Sequence, residues 1–426
     1  MTATFSSAEA SALAAIDEQS IARQLTELLA IPSITGSPAE SEMQHLLAAH
    51  LDRLGLDIDL WSMDLPALCG NPGFPGTEAP RDEAWGLVAT TPAAEGPTVI
   101  LQAHVDVVPP GDLGKWAGDP FVPYADGDDI HGRGACDMKA GLVANLAAIS
   151  AIRAAGIRLP GRVAAHFVVS EEDGGLGAFG TLQRGHTGDA CIITEPTGGT
   201  VITANAGALT FRIEVPGKAT HASTRYAGVS AIDVYLPIHA ALARLETRRN
   251  TGADPLMAGY RIPYPLAVGI VRAGDWASTV PDLLVAEGRL GVRLGEDPAA
   301  ARTELERCVA EAAASDPWLR DHPPVVAWTG GQFASGRLPA GHPLEDLIRE
   351  AHRDVTGEPH LENRGAPYGS DLRLYSAAGV PTLQYGPGDV RLAHSPYEKV
   401  SVTETVRVAR TVVLAVLRAL SSSAGS

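Results

Sequence analysis

Cysteine is scarce in this chain. Its four cysteines, Cys69, Cys136, Cys191 and Cys308, are widely spaced among 426 residues and form no C-x-x-C pair. Neither a disulfide framework nor a structural zinc knuckle is signalled, and a reduced compartment, the cytoplasm, is the expected location. Positive charge is also short. Against 50 Asp plus Glu there are 33 Lys plus Arg, a formal net charge of −17, with no basic cluster to track phosphates, so nucleic acid is not an expected partner. Long apolar runs are missing too. The run 411–417 is closed by Arg410 and Arg418, far short of the roughly 20 residues that span a bilayer. Residues 1–31 carry Glu9, Asp17, Glu18 and Arg23 and lack a basic start, which reads as a first amphipathic helix and not as a leader. No membrane partner is expected.

What is present is ample apolar material, 45% of the chain, in a length that suits two domains. Helical periodicity at 21–29 and 40–54, followed by apolar segments at 98–104, 163–169 and 190–194, predicts alternating helices and buried strands, an α/β architecture. Residues 67–85, rich in Gly, Pro and charge, read as a long surface loop able to wall a pocket. From Gly207 the texture changes. An alternating strand (Leu209, Phe211, Ile213, Val215), a helix near 229–246, a strand at 283–294 and a helix at 299–314 suggest an inserted α+β layer. We place it at 207–332, with 1–206 and 333–426 forming the main domain. Helices at 344–356 and 402–420 complete that domain, and 421–426 is expected to be a disordered tail.

Carboxylates and histidines stand where the predicted strands stop: His104, Asp106, Asp137, Glu171, Glu172, Glu195 and, far along the chain, His394. In open α/β sheets, sites form beyond the carboxyl ends of strands. Oxygen and nitrogen donors in this number suit a pair of divalent metals plus a general base. His104 and Asp106, two apart on extended chain, share a face, so the carboxylate can orient the imidazole. Asp137 precedes the helical run 138–153 and has two oxygens with which to bridge. Glu171 and Glu172, adjacent on extended chain, point apart, which suggests one ligand and one base. Taken singly each has a plainer reading: His394 as a surface residue, 171–173 as a solvated turn, Asp137 as a helix N-cap. Their joint occurrence at strand ends favours the metal site. Gly175, Gly177 and Gly180 match G-x-G-x-x-G with Glu195 downstream, the fingerprint of an NAD-dependent dehydrogenase. Glu171, Glu172 and Asp173 would repel a pyrophosphate there, so that reading is the remote alternative.

Six stretches in order carry a resemblance: HVDVVPPGD at 104–112, GRGACDMKAG at 132–141, SEEDGG at 170–175, TEP at 194–196, GKATHAS at 217–223 and GPGDVRLAHSPYE at 386–398. Together they resemble the M20 family of metallopeptidases and deacylases, particularly its acetylornithine deacetylase and succinyl-diaminopimelate desuccinylase group. The resemblance implies a zinc-peptidase-like catalytic domain, with a central mixed sheet flanked by helices, and an inserted α+β lid that forms a homodimer. It implies two divalent ions, zinc with cobalt or manganese as alternatives: His104 and Glu195 on one, Glu172 and His394 on the other, Asp137 bridging. Asp106 then orients His104, Glu171 is the general base, and the peptide after Asp137 is cis. His221 of the lid, commonly the partner's in such dimers, reaches the scissile carbonyl oxygen.

The implied activity is removal of an acyl group from an N-acyl amino acid or related small amine. Metallo-dipeptidase or carboxypeptidase activity, or deformylation of a small N-formyl amine, is the alternative. The lid departs from the pattern. With its proline at Pro281, the family's usual Asn and Arg positions hold Ser278 and Gly291. Arg289 and Arg293 flank Gly291 on one strand face and are the candidates for binding a substrate carboxylate. Asp371, in the segment 368–371, is a further candidate near the product.

Overall fold

Four strands point their carboxyl ends the same way, and that one arrangement positions the site. They are Arg162–Val168, Thr98–His104, Ala190–Ile193 and Thr382–Gln384, paired in parallel in that order. Two antiparallel strands, Trp85–Thr90 and Asp57–Ser62, extend the sheet beyond Arg162–Val168. The sheet is therefore mixed. Its parallel strands are buried almost without interruption, because helices cover both faces and the strand sequences need no polar alternation. This is a computed structural model, describing residues 4–92 and 94–422. The chain divides into two compact units. One comprises the chain up to Thr203, Arg337–Arg364 and the chain from Leu374; the other comprises Ala204–Gly336 and Gly365–Arg373.

In the first unit the helix Ala140–Ala154 packs against Val402–Ser422, which also meets Pro343–Thr356. The stretch Ala135–Ala154 is apolar and long enough by composition to cross a membrane, yet 83% of its apolar window is buried inside the protein. Its apolar character serves the core. The N-terminal segment is two helices and not the single one expected. Ser7–Ala14 and Glu18–Leu29 are separated where the Asp17 side chain accepts the Gln19 N–H and caps the second. Ser421 and Ser422 continue the last helix instead of beginning a tail; the rest of the expected tail, and residues 1–3, lie outside the described residues.

The second unit is α+β. Its sheet runs Leu266–Ala273, Leu283–Val292, Gly207–Pro216, Val325–Phe333, antiparallel throughout. Leu209, Phe211, Ile213 and Val215 alternate onto its buried face and join one core with the helices Ala231–Arg249 and Pro298–Ala314. The segment 365–373, assigned from sequence to the main domain, groups with this unit.

The closest packing beside the strand ends involves Gly141, where a Cβ would stand 1.9 Å from the Thr194 carbonyl oxygen. Gly141→Ala is expected to destabilise the protein by roughly 1–3 kcal/mol through overpacking. A urea unfolding midpoint equal to that of the parent would refute this close approach.

Candidate metal centre

His104 ends its strand with the imidazole 1% exposed. Its Nδ1 lies 2.8 Å from the Asp106 backbone carbonyl, so Nδ1 carries the proton and Nε2 faces inward with its lone pair. Nε2 stands 3.2 Å from Asp137 Oδ1 and 3.9 Å from Glu195 Oε1. The orienting contact thus comes from the Asp106 carbonyl, while the Asp106 carboxylate is 3.7 Å away. That carboxylate serves another purpose. It accepts the Thr35 hydroxyl at 2.9 Å and the backbone N–H groups of Glu171 and Glu172 at 3.2 and 3.3 Å.

Glu171 and Glu172 are not on extended chain, as the sequence reading assumed. Ser170, with φ 63°, turns the backbone left-handed immediately after the strand, and 171–174 form a turn. Both side chains can therefore address the same centre. Donor atoms of His104, Glu171 and Glu195 lie within 4.8 Å of one another, as do those of His104, Asp137 and Glu172.

Asp137 is no N-cap, since the following helix begins after Lys139 without a side-chain cap. It sits in an irregular turn, with the Asp137–Met138 peptide cis. Its N–H and that of Cys136 donate to Glu398 Oε1, both at 3.1 Å, while Glu398 Oε2 receives Arg133 at 2.5 Å. So held, Asp137 turns Oδ1 to His104 and Oδ2 to His394, 3.5 Å from its Nε2. Glu172 Oε2 lies 3.2 Å from the same His394 nitrogen. The structure brings all seven strand-end residues together: one imidazole and one further carboxylate on each side of a shared aspartate.

The electrostatics report a concentrated negative site. Burial disfavours a charged His104, yet Glu195, the hydrogen bond with Asp137 and the charges of Asp106 and Glu171 outweigh it, and its pKa stands well above the ordinary value. Hydrogen bonds to Asp137 and Glu172 push His394 up to about 11. Burial would raise Asp137, but its two imidazole partners hold it below the usual carboxylate range. Burial, then the Asp137 charge, raises Glu172. Inward-facing imidazole nitrogens among carboxylates demand positive charge, and this nitrogen and oxygen donor set fits divalent cations.

Comparison with known proteins fits this geometry. Residues 100–418 match the family model of peptidase family M20/M25/M40. The chain belongs to that family. Among its M20 relatives, N-formyl-4-amino-5-aminomethyl-2-methylpyrimidine deformylase of Bacillus subtilis is 29% identical over 92% of both chains. Succinyl-diaminopimelate desuccinylase of Leptothrix cholodnii is 34% identical over 85% of this chain and 89% of its own. A solved structure, the Bacillus subtilis YXEP protein, described as a dinuclear metal binding peptidase of the M20 family, superposes with a TM-score of 0.64 at 16% identity, covering 95% of this chain and 98% of that one. As an M20 member this protein is a metal-dependent hydrolase of linear amide C–N bonds. The glycines at 175–180 belong to that fold. Gly175, at φ 88°, leads into the helix Leu176–Gln183, and a Cβ on Gly177 would meet the Val169 carbonyl at 2.3 Å, so the dehydrogenase reading has nothing left to explain.

The remaining predicted residues lie in the second unit. His221 is exposed, and its Nδ1 accepts the Ser223 N–H at 3.1 Å, which leaves the neutral ring's proton on Nε2, facing outward as a donor. Ser278 is exposed, and its carbonyl accepts the Ala222 N–H at 2.8 Å. Arg293 is engaged structurally: its Nε donates to the Arg249 carbonyl at 2.9 Å. Arg289 is exposed, its guanidinium 5.8 Å from the Phe333 ring centre. Asp371 is fully buried. Sequence reasoning missed Thr35, which no motif marks, and the role of Glu398, although it ends the last quoted stretch.

Asp106→Ala removes the acceptor of three donors around the 171–172 turn. It is expected to lower metal affinity or turnover by about 10- to 100-fold, read by competition with a chelating dye. Affinity and turnover within twofold of the parent would contradict the role drawn from these contacts.

Proposed function

We propose that the protein is a dizinc amidohydrolase that removes an acyl group from an N-acyl amino acid or related small amine. The observation that carries this reading is the division of Asp137 between two imidazoles, Oδ1 toward His104 and Oδ2 toward His394. In it, His104 and Glu195 would hold one ion and His394 and Glu172 the other, with Asp137 shared. Two such ions would supply Lewis acidity toward the amide carbonyl and lower the pKa of a nearby water.

The chain's own residues do the rest. Glu171, near His104 and Glu195 but with no assigned ligand role, takes the proton of the attacking water and returns it to the leaving amine. In this reading His221, from this chain or from a second copy in a homodimer, would offer its Nε2 proton to the carbonyl oxygen as charge develops there. Asp106 fixes the turn that carries Glu171 and Glu172.

The second unit serves as lid and as homodimer surface in this reading. Its edge strand Leu266–Ala273 exposes Ile270 and Val271, and Tyr226, Ile232 and Leu236 are exposed as well, the kind of apolar edge that a second copy covers. Four free cysteines, three of them buried, support a cytoplasmic setting.

A second reading, deformylation of a small N-formyl amine, is favoured by the lid. At Gly291 a Cβ would meet the backbone of Tyr264 and Pro265 at 2.8–3.0 Å, so no longer side chain fits there. With Arg293 engaged, Arg289 is the remaining candidate to hold a substrate carboxylate. Arg289→Ala is expected to raise KM for N-succinyl and N-acetyl amino acids about tenfold, the loss of one charge-assisted contact, and to leave N-formyl amines unaffected. An unchanged KM for every acyl amino acid cleaved would remove Arg289 from substrate binding.

The test of the mechanism is Glu171→Gln. Turnover should fall by about 10²- to 10⁴-fold, with two metals retained by elemental analysis. Survival of turnover within a few fold, metals in place, would show that Glu171 is not the base. A panel of N-formyl, N-acetyl and N-succinyl amines and dipeptides, run on the metal-loaded parent, separates deacylase from peptidase.

A further inference from the structure

The turn bearing Glu171 and Glu172 is held from two sides. On one side stands Asp106. On the other is a buried set of three ionisable side chains that none of the site chemistry above uses: Glu40, Arg81 and Asp173, with side chains 4%, 4% and 7% exposed. Arg81 joins the two carboxylates, Nη1 at 3.1 Å from Glu40 Oε2 and Nη2 at 3.4 Å from Asp173 Oδ1. Each carboxylate also grips Ser170, the left-handed residue directly before Glu171. Glu40 Oε1 accepts its N–H at 3.1 Å, and Asp173 Oδ1 accepts its hydroxyl.

The same set fastens the irregular loop that follows Leu65–Cys69. Asp173 Oδ2 accepts the Thr77 hydroxyl at 2.5 Å and the N–H groups of Glu78 and Ala79 at 3.0 and 2.8 Å. The loop backbone lies so close that a Cβ on Gly174 would stand 2.0 Å from the Gly76 carbonyl oxygen. A buried ion-pair set of this kind is weak as a source of stability but strong as a constraint on geometry. Removing its single cation leaves two carboxylates facing each other around Ser170.

We infer that Arg81 is a positioning residue for the general base: by clamping Glu40 to Asp173 it fixes Ser170, and through Ser170 the direction of Glu171, while tying the loop 70–84 to the catalytic turn. This inference rests on the reading of Glu171 as the base. A misplacement of about 1 Å at a reacting group can cost on the order of a hundredfold in rate, and that is the size of effect expected.

The test uses the full-length, metal-loaded protein and the N-acyl substrate that the parent turns over best. Arg81→Gly should lower kcat about a hundredfold, with KM within threefold and two metals still bound. A cavity of about 220 Å³ lined by Gly36, Pro38, Pro80, Arg81, Asp82 and Glu83 reaches Arg81. Methylguanidinium at millimolar concentration should therefore enter from that side and restore kcat tenfold or more, while methylammonium restores less, because only a planar fork spans both carboxylates. The isosteric Asp173→Asn covers the case in which Arg81→Gly does not fold. It should show the same kcat-selective loss, with no response to methylguanidinium.

A folded Arg81→Gly or Asp173→Asn protein with two metals and parental kcat, alongside an inactive Glu171→Gln, overturns the positioning role and leaves the base intact. A fall in melting temperature with unchanged kcat per folded site, or an Arg81→Gly loss that methylguanidinium does not reverse, assigns Arg81 to structure alone and also overturns it. An active Glu171→Gln removes the base itself, and this inference falls with it.

Discussion

One carboxylate shared between two imidazoles organises the first unit. Asp137 is held by its backbone N–H to Glu398, not by its side chain, which leaves both oxygens to face His104 and His394. Around it the ends of parallel strands deliver His104, the Glu171–Glu172 turn and Glu195, and the loop after Thr382–Gln384 brings back His394. So much negative charge in a buried place is tolerable only where cations compensate it. The raised pKa values of His104 and His394 express the same demand.

The backbone shows where this arrangement is enforced. Among the described residues, the non-glycine residues at positive φ are Ser170 and His394, one directly before the proposed base and the other a proposed ligand. Left-handed backbone at such residues costs of order 1 kcal/mol each and persists where surroundings over-determine it. For Ser170 those surroundings are visible in Glu40, Asp173 and the Gly175 N–H on its carbonyl at 2.6 Å.

Much of this was legible in the sequence because parallel strands that are buried on both faces read as apolar runs, and chemistry gathers at their carboxyl ends. His104 and Glu195 could be placed on that ground, Asp137 and His394 by the stretches that resemble the M20 family, and the alternation 209–215 gave the inserted unit its buried face. What escaped had specific causes. The left-handed bend falls on Ser170 and not on the Gly174–Gly175 pair that marks the turn in sequence, so Glu171 and Glu172 were assigned to extended chain. Asp106 was paired with His104 through its carboxylate because a backbone carbonyl leaves no mark on sequence. Arg81 lay in a stretch read as surface loop, Asp173 in one read as a solvated turn, and nothing marked Glu40, since pairing that allows burial is a tertiary fact. The strand Asp57–Ser62 lies at a sheet edge, half exposed, and lacks the apolar run that marked the central strands, while Leu266–Ala273, at the other sheet's edge, is apolar but interrupted by Gly269 and bulged between Val268 and Ile270.

The proposed dinuclear site depends on Asp137 serving two ions at once, and manganese offers the most direct measurement. Protein loaded with Mn²⁺ should hold two ions per chain by elemental analysis and give an electron paramagnetic resonance spectrum of a spin-coupled pair, as a common carboxylate ligand requires. A single ion per chain, or two ions with uncoupled spectra, would contradict it.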